Sequence, residues 1–308
     1  MTLERAQPAR PPSPASRSPG HAALLAVQLC YGLFPLFTIR AVESFAPRAI
    51  ASWRMLVGAS VLGGLALALH GRRAVPSARD LPRLAACSLC GVVLNQVLAI
   101  EGMARTSSTR AGLLMTLIPV FTFGLAALVG QERLSARRAL GLGVALAGAL
   151  VVLLARSGVP VDARHGSQLA GNLMIAANCL SYSIYLIVSR PLLARYPALV
   201  LTALVYAGSL ACVPFLSHGQ TLVPAAPSAS ALAAMAYILV FPTLVAYFLS
   251  AFALARVAAS TTAVYIYLQP LVAACAGILV LRERLRPEIV RAAGLLFVGI
   301  WLVSRRGR

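Results

Sequence analysis

Side chains able to grip a small polar molecule are few in this chain, and most of them fall inside long apolar stretches. Asn95 and Gln96 sit together, with Glu101 shortly after; Asn178, Tyr182 and Tyr185 form a second group; Tyr31, Tyr247, Tyr265 and Gln269 are spread along other stretches. A polar group held in hydrocarbon costs on the order of several kcal/mol unless it is partnered or faces water, so these residues mark a wetted cavity. Amides and phenols offer hydrogen bonds and flat rings, which suits a mostly neutral site for a small zwitterion or an aromatic metabolite.

Four further residues bear on coupling or gating. Glu101 is the one acid expected within the thickness of a bilayer, which makes it the candidate proton-coupling carboxylate, with a proton as the coupling ion. Arg105, four residues on, offers the competing role of an interfacial ion pair. Arg54, beside Trp53, either clamps an anionic carboxylate or snorkels to the nearer interface and anchors its helix. Pro119 and Pro270 each remove a backbone hydrogen bond midway along an apolar span, giving a hinge or a fixed bend.

Catalysis is not what these residues suggest. His21, His70, His165 and His218 all fall in loops or at span ends, so no buried Ser/His or metal-binding pair is expected, and Gly58-Ala59-Ser60 reads as a packing run. Cys87 and Cys90 make one C-x-x-C, without the second pair that a zinc site needs. Neither a catalytic residue, a metal nor a cofactor is expected.

The elements that must position these groups are membrane helices. Hydrophobic residues make up 59% of the 308 and charged ones only 11%, with a mean hydropathy of +0.83, far from the composition of soluble domains. Ten apolar spans are expected, at about 22–39, 49–69, 83–100, 111–130, 137–155, 168–188, 198–216, 231–251, 262–281 and 288–304, each long enough to cross ~30 Å of hydrocarbon. The formal net charge of +19 would suggest a nucleic-acid partner in a soluble protein. Here the arginines flank the spans, so the partner is the lipid bilayer and no nucleic acid is expected.

A second regularity concerns spacing. Tyr31 and Tyr182, Arg105 and Arg256, Pro119 and Pro270, Glu132 and Glu283, Gly143 and Gly294, and Gly148 and Gly299 are all separated by 151 positions. The chain reads as one five-span unit written twice. Because five is odd, the second copy enters the membrane from the opposite side, which makes the repeats inverted. The glycines, with Ala139 and Ala147, form small-residue faces for close helix packing.

The expected division is a disordered tail at 1–21 rich in proline, a first repeat at 22–155, a linker at 156–172 and a second repeat at 173–306. Placing both termini on the cytoplasmic side puts 16 arginines inside and 10 outside. Two units with the same contacts exchange an outward-open for an inward-open cavity at similar energy, so alternating access by a monomer or homodimer is the expected mechanism. A passive channel is the first alternative, although no ring of charges is visible, and a membrane-embedded enzyme the second.

Gln131-Glu132-Arg133-Leu134 leading to Gly141, Gly143 and Gly148, its copy Arg282-Glu283-Arg284-Leu285 leading to Gly294 and Gly299, and Asn95-Gln96 followed by Glu101-Gly102 resemble EamA-type permeases of the drug/metabolite transporter superfamily. The resemblance covers both copies. It implies an all-α integral membrane protein of ten transmembrane helices, with a cavity lined chiefly by helices 1, 3, 4, 6, 8 and 9. It also implies a multi-pass protein of a bacterial inner membrane that exports a small-molecule substrate such as an amino acid. Many relatives carry Trp where this chain has Tyr31 and Tyr182.

Overall fold

The computed structural model describes residues 14–130, 135–154, 167–254, 265–266, 268–282 and 287–304, and all of its regular elements are helical. The stretches around Glu132 and Glu283, together with Arg256 and Tyr267, lie outside the described residues.

Proline and glycine set where the helices start, break and stop. Helix α1 (Pro14–Gly32) is separated from α2 (Phe34–Ala41) by one non-helical residue, Leu33, because Pro35 has no N–H to offer the carbonyl of Tyr31. Within the described residues α1 is helical from Pro14 onward, including residues 14–21, which the sequence reading assigned to the tail. Helix α3 (Pro47–His70) opens on Pro47 and ends at Gly71, whose φ of +52° suits glycine. Helices α4 (Leu81–Ser88) and α5 (Leu94–Met103) run into one another through a π-helical turn at Leu89–Val93.

Ser107 caps α6 (Ser108–Met115), and Thr116 interrupts the path to α7 (Leu117–Leu128) three residues ahead of Pro119, which withholds a bond from Met115. Then come α8 (Ala136–Leu154) and the long α9 (Gln168–Leu193), capped by Ser167. Helices α10 (Ala198–Ser209) and α11 (Val213–Ser217) follow. Helix α12 (Ala229–Val240) passes into α13 (Ala246–Leu254) through a second π-helical turn, Phe241–Val245. The last two are α14 (Leu268–Leu281) and α15 (Pro287–Ser304).

Among the described residues seven helical stretches are long and apolar enough to cross a membrane: Pro19–Ala41, Pro47–His70, Ala78–Met103, Ser108–Leu128, Gln168–Ser189, Ala198–Ser217 and Ala229–Ser250. Ala139–Val152 and Leu268–Leu281 are shorter apolar helices. Large hydrophobic side chains such as Leu128, Leu279 and Phe215 stand exposed on the outside, as a surface facing lipid requires.

Helix packing follows the 151-residue offset. Helix α5 packs on α9; shifting 94–103 forward gives 245–254 and shifting 168–193 back gives 17–42, and α13 packs on α1. By the same shift the α7–α9 contact becomes the α14–α1 contact, while α3–α10 and α8–α15 are each carried onto themselves. The duplication is therefore present in the contacts as well as in the letters.

The glycines expected to act together divide in two. A methyl group added at Gly148 would lie 2.9 Å from the Leu296 nitrogen and 3.0 Å from the Ala292 carbonyl, and one at Gly299 would lie 2.7 Å from Ala145 Cα. Gly143 and Gly294 have nothing within 4 Å. Only the first pair lets α8 and α15 meet backbone to backbone. Gly148→Val and Gly299→Val are expected to destabilise the fold by about 1–3 kcal/mol each, and Gly143→Ala and Gly294→Ala by much less. Thermal unfolding in detergent measures this, and equal losses at all four positions would refute the division.

Candidate functional site

The interior polar groups are organised around Arg54 on α3. Its residue is 4% exposed. Two α-helical turns of chain separate it from Pro47, and α3 packs against α10 and α12. Arg54 Nε donates to Thr243 Oγ1 at 3.0 Å, and the guanidinium carbon stands 4.5 Å from the centre of the Phe34 ring.

Thr243 lies in the second π-helical turn for a traceable reason. Pro242 has no N–H for the Ile238 carbonyl, and the Thr243 hydroxyl donates to that carbonyl at 2.8 Å. The same oxygen then accepts from Arg54. One proline thereby widens the helix, and one threonine repairs the loose carbonyl while receiving the arginine.

Around this pair lies a ring of phenols. Tyr31 packs with Val245 and Ala246, at the end of the π-helical turn that holds Thr243. Tyr206 and Tyr247 meet edge to face with centroids 5.4 Å apart, and Tyr182 and Tyr185 lie 5.5 Å apart. Tyr206 is fully buried and its hydroxyl accepts from Gln96 Nε2 at 2.9 Å. Gln96 Oε1 is buried with no partner. Tyr31, Tyr182, Tyr185 and Tyr247 are half-buried. The Tyr185 ring covers Gly91 in the first π-helical turn, where a Cβ would be 2.5 Å from it, and Ser181 Oγ donates to the Cys90 carbonyl there.

Other residues expected at the site do different work. Asn178 Nδ2 donates to the Asn95 carbonyl, tying α9 to α5, so this amide is committed to the scaffold. Gln269 Nε2 donates to Gln28 Oε1 at 2.7 Å, joining α14 to α1. Tyr265 is not part of the phenol ring: its hydroxyl lies 2.9 Å from His21 Nδ1, and it packs beside Ala23, Leu24 and Ala253. Pro119 occupies the third position of α7, directly after the break at Thr116, so it is part of a bend already made, and Pro270 is the third described residue of α14.

The acids sit at the bundle ends with arginines. Glu101 bonds Arg105 at 2.5 Å and lies 3.5 Å from Arg48. Asp80, which sequence reasoning passed over, is 3% exposed and held by Arg195 at 2.5 Å and by the Tyr196 hydroxyl at 2.9 Å. That network joins the two halves at one end. At the other, Trp53 Nε1 donates to the Leu222 carbonyl at 3.0 Å, and Thr106 Oγ1 to Asn172 Oδ1 at 2.6 Å.

Sequence reasoning also missed Tyr206, Thr243, Gln28 and Tyr237. Tyr237 stacks on Phe37 and Phe241, with centroids 3.8 and 5.0 Å away. Tyr206 had a usable signal, a phenol in the middle of an apolar span; Thr243 had Pro242 beside it.

Comparison with known proteins adds a family. The model of the EamA-like transporter family matches residues 18–154 and 169–305. A protein of Streptantibioticus cattleyicolor named "Probable terminal-alkyne amino-acid exporter" is 28% identical over 289 residues, covering 92% of this chain and 93% of its own. The S-adenosylmethionine/S-adenosylhomocysteine transporter of Chlamydia trachomatis serovar L2 is 30% identical over 272 residues, covering 85% and 82%. One solved crystal structure superposes with a TM-score of 0.62 at 18% identity, covering 93% of this chain and 96% of the other, a likeness of fold.

The Gln96–Tyr206 bond makes a quantitative test. Tyr206→Phe leaves a buried amide without its partner, at a cost of about 1–3 kcal/mol. The double variant Gln96→Leu/Tyr206→Phe is expected to cost less than the sum of its singles by about 0.5–3 kcal/mol in denaturant unfolding. Strict additivity would sink the assignment.

Proposed function

Because this chain belongs to the EamA-like transporter family, we propose that it is a secondary active transporter that exports a small metabolite, an amino acid or a related compound, by alternating access. The observation that carries the reading is the interchange of helix contacts under the 151-residue offset. Two halves with equivalent contacts exchange shapes at little net energy, which is what alternating access needs.

In this reading the described helices and the stretches between them make ten crossings, five in each inverted half. The first half is placed at 22–155 and the second at 173–306, with both termini in the cytoplasm of a bacterium and the chain in its inner membrane. The solute lies among Tyr31, Gln96, Tyr182, Tyr185 and Tyr247, half-buried phenols and a buried amide contributed by both halves. The ties at the two ends, through Asp80 at one and through Trp53 and Thr106 at the other, break in turn as each end opens. The relative named as an amino-acid exporter, alike along nearly its whole length, supports the substrate class. A proton is proposed as the coupling ion, but the two arginines on Glu101 favour a paired, structural role for that carboxylate.

Protein reconstituted in sealed vesicles is expected to move a screened amino acid saturably and to exchange labelled for unlabelled solute. Flux that rises linearly with concentration and shows no exchange would support a channel and overturn the reading. Glu101→Gln is expected to keep the response to a pH gradient while lowering thermal stability. Loss of that response in a stable variant would instead make Glu101 the coupling group.

A further inference from the structure

Among the described residues Glu101, Asp80 and Arg54 are partnered unequally. Glu101 has Arg48 and Arg105, and Asp80 has Arg195 and Tyr196. Arg54, as buried as Asp80, has a hydroxyl and a phenyl ring but no described carboxylate. A buried guanidinium is stable only when hydrogen-bonded and neutralised, and among the described residues nothing supplies the counter-charge of Arg54.

We infer that Arg54 binds the carboxylate of the transported solute, and that Gln96 receives the ammonium of the same zwitterion. The assignment rests on the transport reading and deepens it. Arg54 Nε is occupied by Thr243, which fixes the plane of the guanidinium and leaves the two Nη groups, four N–H donors in a rigid fork, as the matching surface for a carboxylate. Bidentate pairing of that kind is among the strongest a neutral-pH site offers.

Gln96 supplies the complement. Its Nε2 is committed to Tyr206, and its Oε1 is a buried acceptor without a donor, the requirement an ammonium group meets. Tyr206 connects the two ends of the site: it is bonded to Gln96, and its ring packs against Gly58, one helical turn after Arg54 on α3. The half-buried ring of Tyr247 meets Tyr206 edge to face and suits the remainder of the solute. Because Thr243 belongs to the π-helical turn of the other half, a carboxylate drawn to Arg54 acts on both halves at once.

The test uses the full chain. Thermal stabilisation in detergent is measured with L-phenylalanine, L-leucine and L-methionine, and with the methyl ester and the decarboxylated amine of each; the same compounds are offered as competitors in vesicle exchange. Wild type is expected to prefer the acids by about tenfold or more. Arg54→Lys should retain part of that preference, and Arg54→Gln should bind acids and esters alike. The wild-type comparison of acid with ester stands even if a variant folds poorly. Saturable exchange with no preference for the acids, or an unchanged preference in Arg54→Gln, overturns the assignment and leaves the transporter reading intact. Neither stabilisation nor exchange with any compound overturns both.

Discussion

A guanidinium deep in an apolar helical bundle is the constraint around which the interior is arranged. Arg54 cannot reach water along its own stem, so its neighbours must satisfy it. Pro242 disrupts a helix at the right level, the π-helical turn that results displaces Thr243, and the threonine hydroxyl closes the gap at Ile238 while accepting from Arg54. Phe34 covers the cation, and its helix exists as a separate element because Pro35 breaks the chain just before it. Two proline interruptions in different halves thus converge on one charge.

Irregular backbone elsewhere obeys the same logic. The first π-helical turn, Leu89–Val93, shifted by 151 becomes 240–244, one residue from the second turn at Phe241–Val245. Pro119 is the third residue of a helix that follows the break at Thr116. Non-helical backbone in hydrocarbon is costly unless it is buried in protein or lines a cavity. Here the loosened places carry Ser181 on Cys90, Tyr185 over Gly91 and Thr243 on Ile238, all within the bundle. By contrast α8 and α15, which meet through Gly148 and Gly299, run without interruption and serve as the rigid part of each half.

Such a division between rigid and loosened helices gives a duplicated fold something to move. In the alternating-access reading, contacts that map onto one another leave the two halves close in energy, and the bonds between them, Asp80 with Arg195 and Tyr196 at one end and Trp53 with Leu222 at the other, are the polar ties that break in turn.

The amino-acid sequence by itself determined the membrane class, the duplication and the family, because apolar spans must follow bilayer thickness and because repeated Pro, Gly and Tyr at one offset survive in the letters. It also marked Gln96, Tyr31, Tyr182 and Tyr247 as interior, since few other reasons put amides and phenols in such spans. Partnership was decided only in three dimensions. Gln96 and Tyr206 are 110 positions apart, Arg54 and Thr243 are 189, and Gln28 and Gln269 are 241. Tyr265 and Asn178 looked like their neighbours in composition, yet one faces His21 and the other holds a backbone carbonyl. Residue type and depth follow from solvation, which is local; which donor meets which acceptor follows from how helices cross, and no single span carries that.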